Sequence, residues 1–170
     1  STETALLKIH NDILLSLDER YCVVLLLLDL SAAFDTVSHP MLLERLKIRF
    51  GIQGQAYKWI ESYFSNRSEI VQIKGTKSQE RLVTCNVPQG SVLGPKFFTD
   101  YESPLGDIIR SHGLKAHFYA DDTQIYFSFH PDEIQHAVKS LENCIHDIRH
   151  WMAMNFLKLN DDKTELIYFG

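Results

Sequence analysis

One run of apolar, β-prone residues, from Tyr21 to Leu28, constrains the fold more than any other part of this sequence. An unbroken apolar run of this length is typical of a strand that is buried on both faces of a sheet. It is too short to cross a membrane as a helix, and nothing resembles a signal peptide. The run ends at Asp29, where a charge is costly unless it reaches solvent or a cation. We therefore expect a central strand that carries a carboxylate at its end.

Helices and short strands are predicted on both sides of this strand. Apolar spacing before Tyr21 predicts a helix, and Ser38 and Pro40 begin another that Gly51 ends. Further helices are expected over 56–64, in the stretch ending near 112–113, and over 131–154. Short strands are expected at 69–73, 81–87, 116–119 and 124–129, and a hairpin at 157–159 and 166–169. This order predicts an α+β fold whose antiparallel sheet is covered by helices on one face.

Apolar side chains, including Tyr63 and Phe64, are assigned to the inner faces of two of these helices. Trp59 is expected on the inner side of the helix over 56–64. The apolar stripe of the helix over 131–154 is expected to comprise Ile134, Val138, Leu141, Ile145, Ile148 and Trp151.

Composition is that of a folded protein, with 45% apolar and 23% charged residues. Its length fits one domain over residues 1–170. The formal net charge of −5 argues mildly against nucleic-acid binding, although metal ligands would themselves be acidic. Cys22, Cys85 and Cys144 form no CxxC pair, which predicts reduced core cysteines of an intracellular protein rather than zinc ligands.

A second acidic site, Asp121 and Asp122, lies at the tip of a predicted hairpin. Adjacent carboxylates repel, so such a turn is favoured when it holds a positive group. If this hairpin neighbours the strand that ends at Asp29, three carboxylates meet at one sheet edge. Carboxylate clusters suit Mg²⁺, and two such ions can clamp the attacking and leaving oxygens of a phosphoryl transfer. Taken singly, each acidic site is more often a polar turn or a helix cap.

Five segments resemble, in order and spacing, the motifs of LINE-type (non-LTR) retrotransposon reverse transcriptases. LLLLDLSAAFDTVSHPMLLERL resembles the first catalytic motif, VPQGSVLGP the second and YADDTQIY the third. WMAMNFLKLNDDKTELIYFG is similar to the motif that follows, and STETALLKIHNDI to the segment before the first. The resemblance implies an RNA-directed DNA polymerase palm with part of the fingers. It also implies a longer parent protein with the remaining fingers, a thumb and an endonuclease domain.

The resemblance assigns the metal chemistry to particular residues. Asp29 and Asp121 would ligate two Mg²⁺ ions, with Mn²⁺ as the alternative ion. Asp122 would be a supporting ligand, and the carbonyl of Leu30 would complete one shell. Lys163 would protonate the pyrophosphate leaving group or neutralise its charge; a solvated turn lysine is the alternative.

Other matching positions would contact the RNA template, the DNA primer and the dNTP. Phe34 would exclude the sugar 2′-OH, although a core aromatic explains it as well. Gln89 and Gly90 would lie along the incoming nucleotide and the templating base. Arg67 would touch phosphate unless it is simply an exposed arginine. Tyr119 would pack below the aspartates and shape the primer terminus.

One residue departs from the family pattern. The family commonly reads GVPQG, whereas Asn86 stands here at the first position. Asn tolerates left-handed backbone better than most residues, so the loop is expected to form. Asp35 is expected to cap the helix that begins near Ser38.

Two rival functions stay open: an inactive palm remnant that only binds nucleic acid or protein, and an RNA-templated RNA polymerase, which the YADD box and Phe34 disfavour.

Overall fold

A computed structural model describes residues 2–119 and 122–170, except for the side chains of Thr2, Thr4 and Ala5; Ser1, Ala120 and Asp121 lie outside the described residues. The chain divides into two compact units. The first unit comprises Ser1–Ala33 and Glu102–Gly170, and the second comprises Phe34–Tyr101.

The elements described follow one another as helices and strands in mixed order. They are α1 (Thr2–Asp18), β1 (Cys22–Leu28), α2 (His39–Ile48), α3 (Gly54–Phe64), β2 (Ser68–Glu69), β3 (Gln72–Ile73), β4 (Thr76–Lys77), β5 (Arg81–Leu82), α4 (Gly94–Glu102), α5 (Leu105–Ser111), β6 (Lys115–Tyr119), β7 (Asp122–Phe129), α6 (Ile134–Met154) and β8 (Glu165–Phe169). Short 3₁₀ turns lie at Ala33–Asp35, Pro131–Glu133 and Asp161–Lys163. Within these ranges no helix is long and apolar enough to span a membrane.

The first unit is built on a four-stranded sheet in the order β6-β7-β1-β8. Every neighbouring pair is antiparallel, and β1 lies inside the sheet as its apolar run predicts. Its even-numbered side chains are all buried, from Cys22 to Leu28. The predicted α+β class with an antiparallel sheet is confirmed.

Helices pack on both faces of this sheet, whereas the sequence predicts helices on one face. The additional helix is α1. Ile9 and Ile13 of α1 pack against Val23 and Tyr126 on one face. On the other face, α5 comes close enough that a side chain at Gly106 would press on the ring of Phe118. Because α1 packs near the start of β1, the same face stays accessible near its end.

Burial differs from the sequence expectation at several apolar side chains. In α6, Ile134 and Val138 are exposed, and the buried stripe is Ala137, Leu141, Cys144, Ile148 and Met152. Trp59 is also exposed, whereas its neighbour Ile60 is buried. Cys22 and Cys144 are buried as predicted, but Cys85 is exposed and is not a core residue. These misplacements arise because several registers of an apolar stripe fit the same sequence, and packing selects one.

The second unit holds a hairpin and the turn of the second motif. Glu69 pairs with Arg81 as expected, while β3 and β4 pair through a two-residue turn at Lys74 and Gly75. Both turn residues have positive φ, of 48° and 86°, as a tight hairpin of this kind requires. The predicted strand over 81–87 is shorter, because it ends at Leu82 and only Cys85 forms a further bridge, to Ser38.

Candidate active site

The strand pairing brings two of the predicted acidic residues to the same end of the sheet. Leu28 of β1 pairs with Thr123 of β7, so the next position on each strand is Asp29 on one side and Asp122 on the other. Asp29 follows β1 directly, and Asp122 is the first residue of β7. Alternation along each strand therefore directs both carboxylates to the same face, the one that α1 covers only at its other end.

A cavity of 360 Å³ opens beside these two carboxylates. It is lined by Leu27, Leu28, Asp29, Asp122, Asp162, Lys163 and Glu165. Four of these side chains are acidic and one is basic, which makes the cavity an attractive environment for a cation. Asp162 and Glu165 were not among the predicted site residues. Their position in the string DDKTE, next to the predicted Lys163, was the available signal.

The segment that carries Lys163 is not the hairpin that the sequence predicts. Leu159 forms an antiparallel bridge with Leu30, and Glu165 pairs with Leu27. Residues 157–159 and 165–169 therefore follow the same edge of β1 in one direction. Between them, the five residues 160–164 face only Leu28 and Asp29, so they bulge out as a loop. We call residues 160–164 the clamp loop.

The clamp loop contacts Asp29 through both backbone and side chains. The backbone N–H of Asn160 donates to the Asp29 carbonyl at 2.9 Å. The side-chain amide of Asn160 donates from Nδ2 to Asp29 Oδ2, also at 2.9 Å. Lys163 Nζ lies 3.9 Å from the same oxygen, with 69% of its side chain exposed against 30% for Asp29. The lysine contact is thus a long, solvated ion pair, and the Asn160 bonds are the tighter restraint.

The carbonyl of Leu30 accepts no hydrogen bond in the bridge between Leu30 and Leu159. The two bonds of this bridge run from Ser31 N to Lys158 O and from Asn160 N to Asp29 O, each at 2.9 Å. The alternation of an antiparallel pair explains why the residue between them uses neither of its groups here. This is the carbonyl that the family resemblance implies as a metal ligand.

The YADD segment is only partly described, because Ala120 and Asp121 lie outside the described residues. Tyr119 ends β6 opposite Asp122, and its ring is exposed rather than packed below the aspartates as expected. Within residues 2–119 and 122–170, no three His, Cys, Asp or Glu side chains lie close enough together to hold a metal ion. Asp121, which the resemblance predicts as a ligand, lies outside the described residues.

The remaining predicted residues lie in the second unit. Phe34 is half-buried, and its ring centroid is 5.0 Å from that of Phe98, so it packs as a core-edge aromatic. Gln89 and Gly90 are exposed in a turn, where Gly90 has a φ of 76°. Arg67 is half-buried, with its guanidinium 5.2 Å from the ring centroid of Tyr63.

The turn of the second motif is anchored by backbone hydrogen bonds. Asn86 N donates to Val37 O at 2.9 Å, and Val87 N donates to Phe34 O at 2.7 Å. Asn86 has a φ of 107°, so the turn forms with asparagine in a conformation that favours glycine. Asp35 was predicted to cap α2, but the N-cap position of α2 is Ser38. Asp35 is instead exposed in a 3₁₀ turn.

Comparison with known proteins decides the family. The family described as reverse transcriptase (RNA-dependent DNA polymerase) matches residues 5–168. The chain belongs to the reverse transcriptase family. Its relatives include the RNA-directed DNA polymerase from mobile element jockey of Drosophila melanogaster, 29% identical over 99% of this chain. They also include the probable RNA-directed DNA polymerase from transposon BS of the same organism, 29% identical over 86% of this chain.

The chain covers only 19% of the jockey protein and 16% of the BS protein. Among solved structures, the reverse transcriptase chain resembles apo telomerase from Candida tropicalis, with a TM-score of 0.72 and 16% identity over 99% of this chain and 35% of that one. It also resembles telomerase from Candida albicans, with a TM-score of 0.57 and 16% identity over 85% of this chain and 27% of that one. At this identity the likeness shows the fold.

Proposed function

We propose that this chain is the palm and part of the fingers of an RNA-directed DNA polymerase that copies a retrotransposon RNA. Its substrates are an RNA template, a DNA primer and dNTPs, and the reaction transfers a deoxynucleotidyl group. The observation that carries the proposal is the pairing of Leu28 with Thr123, which sets Asp29 and Asp122 side by side on an acidic cavity. Because the chain belongs to the reverse transcriptase family, we interpret this acidic site as the metal site of a polymerase.

The donor set of the cavity fits a hard divalent cation. Its lining side chains offer carboxylate oxygens, and the Leu30 carbonyl is not used by the bridge to Leu159. Oxygen-only sites of this kind suit Mg²⁺, with Mn²⁺ as the alternative ion. Asp29, Leu30, Asp121 and Asp122 would hold two ions. When bound, such ions stabilise negative charge on the attacking and leaving oxygens.

Lys163 and Tyr119 act on the substrates rather than on the metal ions. The ammonium of Lys163 is mostly exposed, and among the described residues its one ion pair is the long contact with Asp29. Its charge is therefore available to a phosphate. Its role is to neutralise or protonate the departing pyrophosphate. The exposed ring of Tyr119, on the strand beside Asp122, supports the primer terminus.

The second unit supplies contacts to nucleotide and template. Phe34 acts as the sugar gate, because a ring held by Phe98 resists displacement by a 2′-OH. Gln89 and Gly90 form an exposed turn whose backbone a nucleotide can approach closely. Arg67, stacked on Tyr63, contacts template phosphate.

Primer extension on an RNA template tests the proposal, with this chain alone and within the longest reading frame that encodes it. Asp121→Asn keeps the shape of the side chain but removes the charge that holds the ions. We expect extension to fall below ~1% of wild type without a change in melting temperature. Asp132→Asn is the matched control, because Asp132 is an exposed aspartate that does not line the cavity.

Three other outcomes decide between the functions. Near wild-type turnover of Asp121→Asn in Mg²⁺ would show that the metal assignment is wrong. Absence of extension by the wild-type reading frame, together with retained RNA binding, would identify a palm remnant. Preference for rNTPs over dNTPs would identify an RNA polymerase.

A further inference from the structure

We propose that Asn160 is a positioning residue: its side-chain amide holds the Asp29 carboxylate in the orientation that presents it to the acidic cavity. The inference rests on the proposed function, since it takes Asp29 as a metal ligand. Asn160 itself is not among the side chains that line the cavity, so it acts through Asp29.

The side chain of Asn160 does not cap the turn that follows it. Asn160 occupies the N-cap position of the 3₁₀ turn Asp161–Lys163, and Asn is among the best residues for capping with its side chain. In this protein its side chain makes no such capping bond. Instead Nδ2 donates to Asp29 Oδ2.

Attachment at two points fixes both the backbone and the carboxylate of Asp29. The backbone bond from Asn160 holds the Asp29 carbonyl, and the amide bond sets the rotation of the carboxylate about its last torsion. That torsion is otherwise broad for aspartate, so an outside partner must set it. Among the described residues, no donor lies within hydrogen-bonding distance of Asp29 Oδ1. Oδ1 and the second lone pair of Oδ2 therefore remain for a cation.

The clamp loop is itself held in place, which makes the amide a pre-set donor. Thr164 Oγ1 donates to the Asn160 carbonyl at 2.9 Å, and Lys163 N donates to it at 3.2 Å. Arg149 pairs with Asp161 in the same loop. Hydrogen-bond partners that orient metal ligands typically change metal affinity by ~10–100-fold when they are removed.

Manganese binding measures this role without relying on polymerase activity. Mn²⁺ affinity of the purified chain is followed by electron paramagnetic resonance for wild type, Asn160→Ala, Thr164→Val and Asp29→Asn, each with a thermal melt. We expect Asn160→Ala to weaken binding by about tenfold. Thr164→Val removes one of two bonds to the Asn160 carbonyl. The bond from Lys163 N and the amide both remain, so we expect its affinity to stay within about twofold of wild type.

The outcomes separate this inference from the proposed function. If Asp29→Asn abolishes binding while Asn160→Ala stays within twofold of wild type, Asn160 is not a positioning residue and the metal site stands. Equal losses in Asn160→Ala and Thr164→Val would also overturn the inference, because loosening of the loop would then explain both. If Asp29→Asn has no effect, the metal site and the inference both fail. Should Asn160→Ala not fold, Asn160→Leu keeps the branched shape without the donor and is judged by the same criteria.

Discussion

Asn86 and Asn160 each stand in a turn beside a residue of the proposed active site, but the protein uses different parts of the two residues. At Asn86 the backbone is used: its N–H donates to Val37 O, and its carbonyl accepts a bond from His39 Nε2 at 2.8 Å. Its side-chain Oδ1 is buried and has no hydrogen-bond partner among the described residues. At Asn160 the backbone has an ordinary φ of −92°, and the side chain holds Asp29.

This difference indicates which position depends on the identity of its side chain. The position of Asn86 needs a backbone with positive φ, which glycine adopts without a Cβ clash. The position of Asn160 needs an amide donor at a defined point. We therefore expect glycine to replace Asn86 without loss, whereas the position of Asn160 is expected to require a side-chain amide.

The largest expected effect outside the metal ligands is at Phe34, whose carbonyl anchors the Asn86 turn through Val87. Phe34→Ala removes the ring packed on Phe98, and we expect a loss of ~2–3 kcal/mol, below the ~3–5 of a fully buried phenylalanine. If the ring also gates the sugar, the ratio of dNTP to rNTP kcat/KM falls. Both quantities are measured on the same variant, by denaturant titration and single-nucleotide extension.

Phe98→Leu serves as the control for Phe34→Ala. It loosens the same ring contact from the other side and leaves Phe34 in place. An unchanged nucleotide ratio in a folded, active Phe34→Ala protein would leave Phe34 as packing alone. An equal change in both variants would show that packing, rather than the ring of Phe34 itself, sets the ratio.

A smaller effect, of opposite sign, is expected at Asn86. Asn86→Gly relieves the positive φ and removes the buried, unpartnered Oδ1, while glycine adds chain entropy to the unfolded state. We expect a net stabilisation of about 1 kcal/mol, seen as a rise of ~2–4 °C in melting temperature. Destabilisation by this change would mean that the Asn86 side chain has a partner in the folded protein.

Asn66→Gly is the matched control for Asn86→Gly. Asn66 also has a positive φ, of 54°, but this lies in the left-handed region that asparagine tolerates, and its side chain is exposed. We expect its stability to change by less than ~0.5 kcal/mol.

The sequence predicted three strands of the sheet better than it predicted the clamp loop. β1 and the neighbouring strands β6 and β7 were predicted because an unbroken apolar run and short β-prone runs beside a turn are local signals. The clamp loop was missed because its shape depends on a register shift between Leu159 and Glu165, which no local pattern encodes. Asn160 was missed for the same reason, since its partner Asp29 lies 131 residues away.

The smallest expected effect is a pH dependence at His39, which donates to the Asn86 carbonyl and packs against the ring of Phe64. Burial lowers the pKa of His39 below its usual value; the charge of Arg67 lowers it further, while the bond to Asn86 raises it. As pH falls, the unfolded chain therefore takes up a proton at His39 before the folded protein does. The corresponding stability is fully present above the ordinary pKa of about 6.5 and is lost as pH falls below it.

His39→Gln separates this titration from the hydrogen bond, because glutamine also carries an N–H donor but does not titrate. We expect the free energy of unfolding to fall more steeply from about pH 7 to about pH 5 for wild type than for His39→Gln. Denaturant titrations at each pH provide the comparison, and all other titrating groups cancel in the difference. Parallel pH profiles would show that His39 has the same pKa in both states, so that the Asn86 turn is held by the hydrogen bond without any cost from burying the ring.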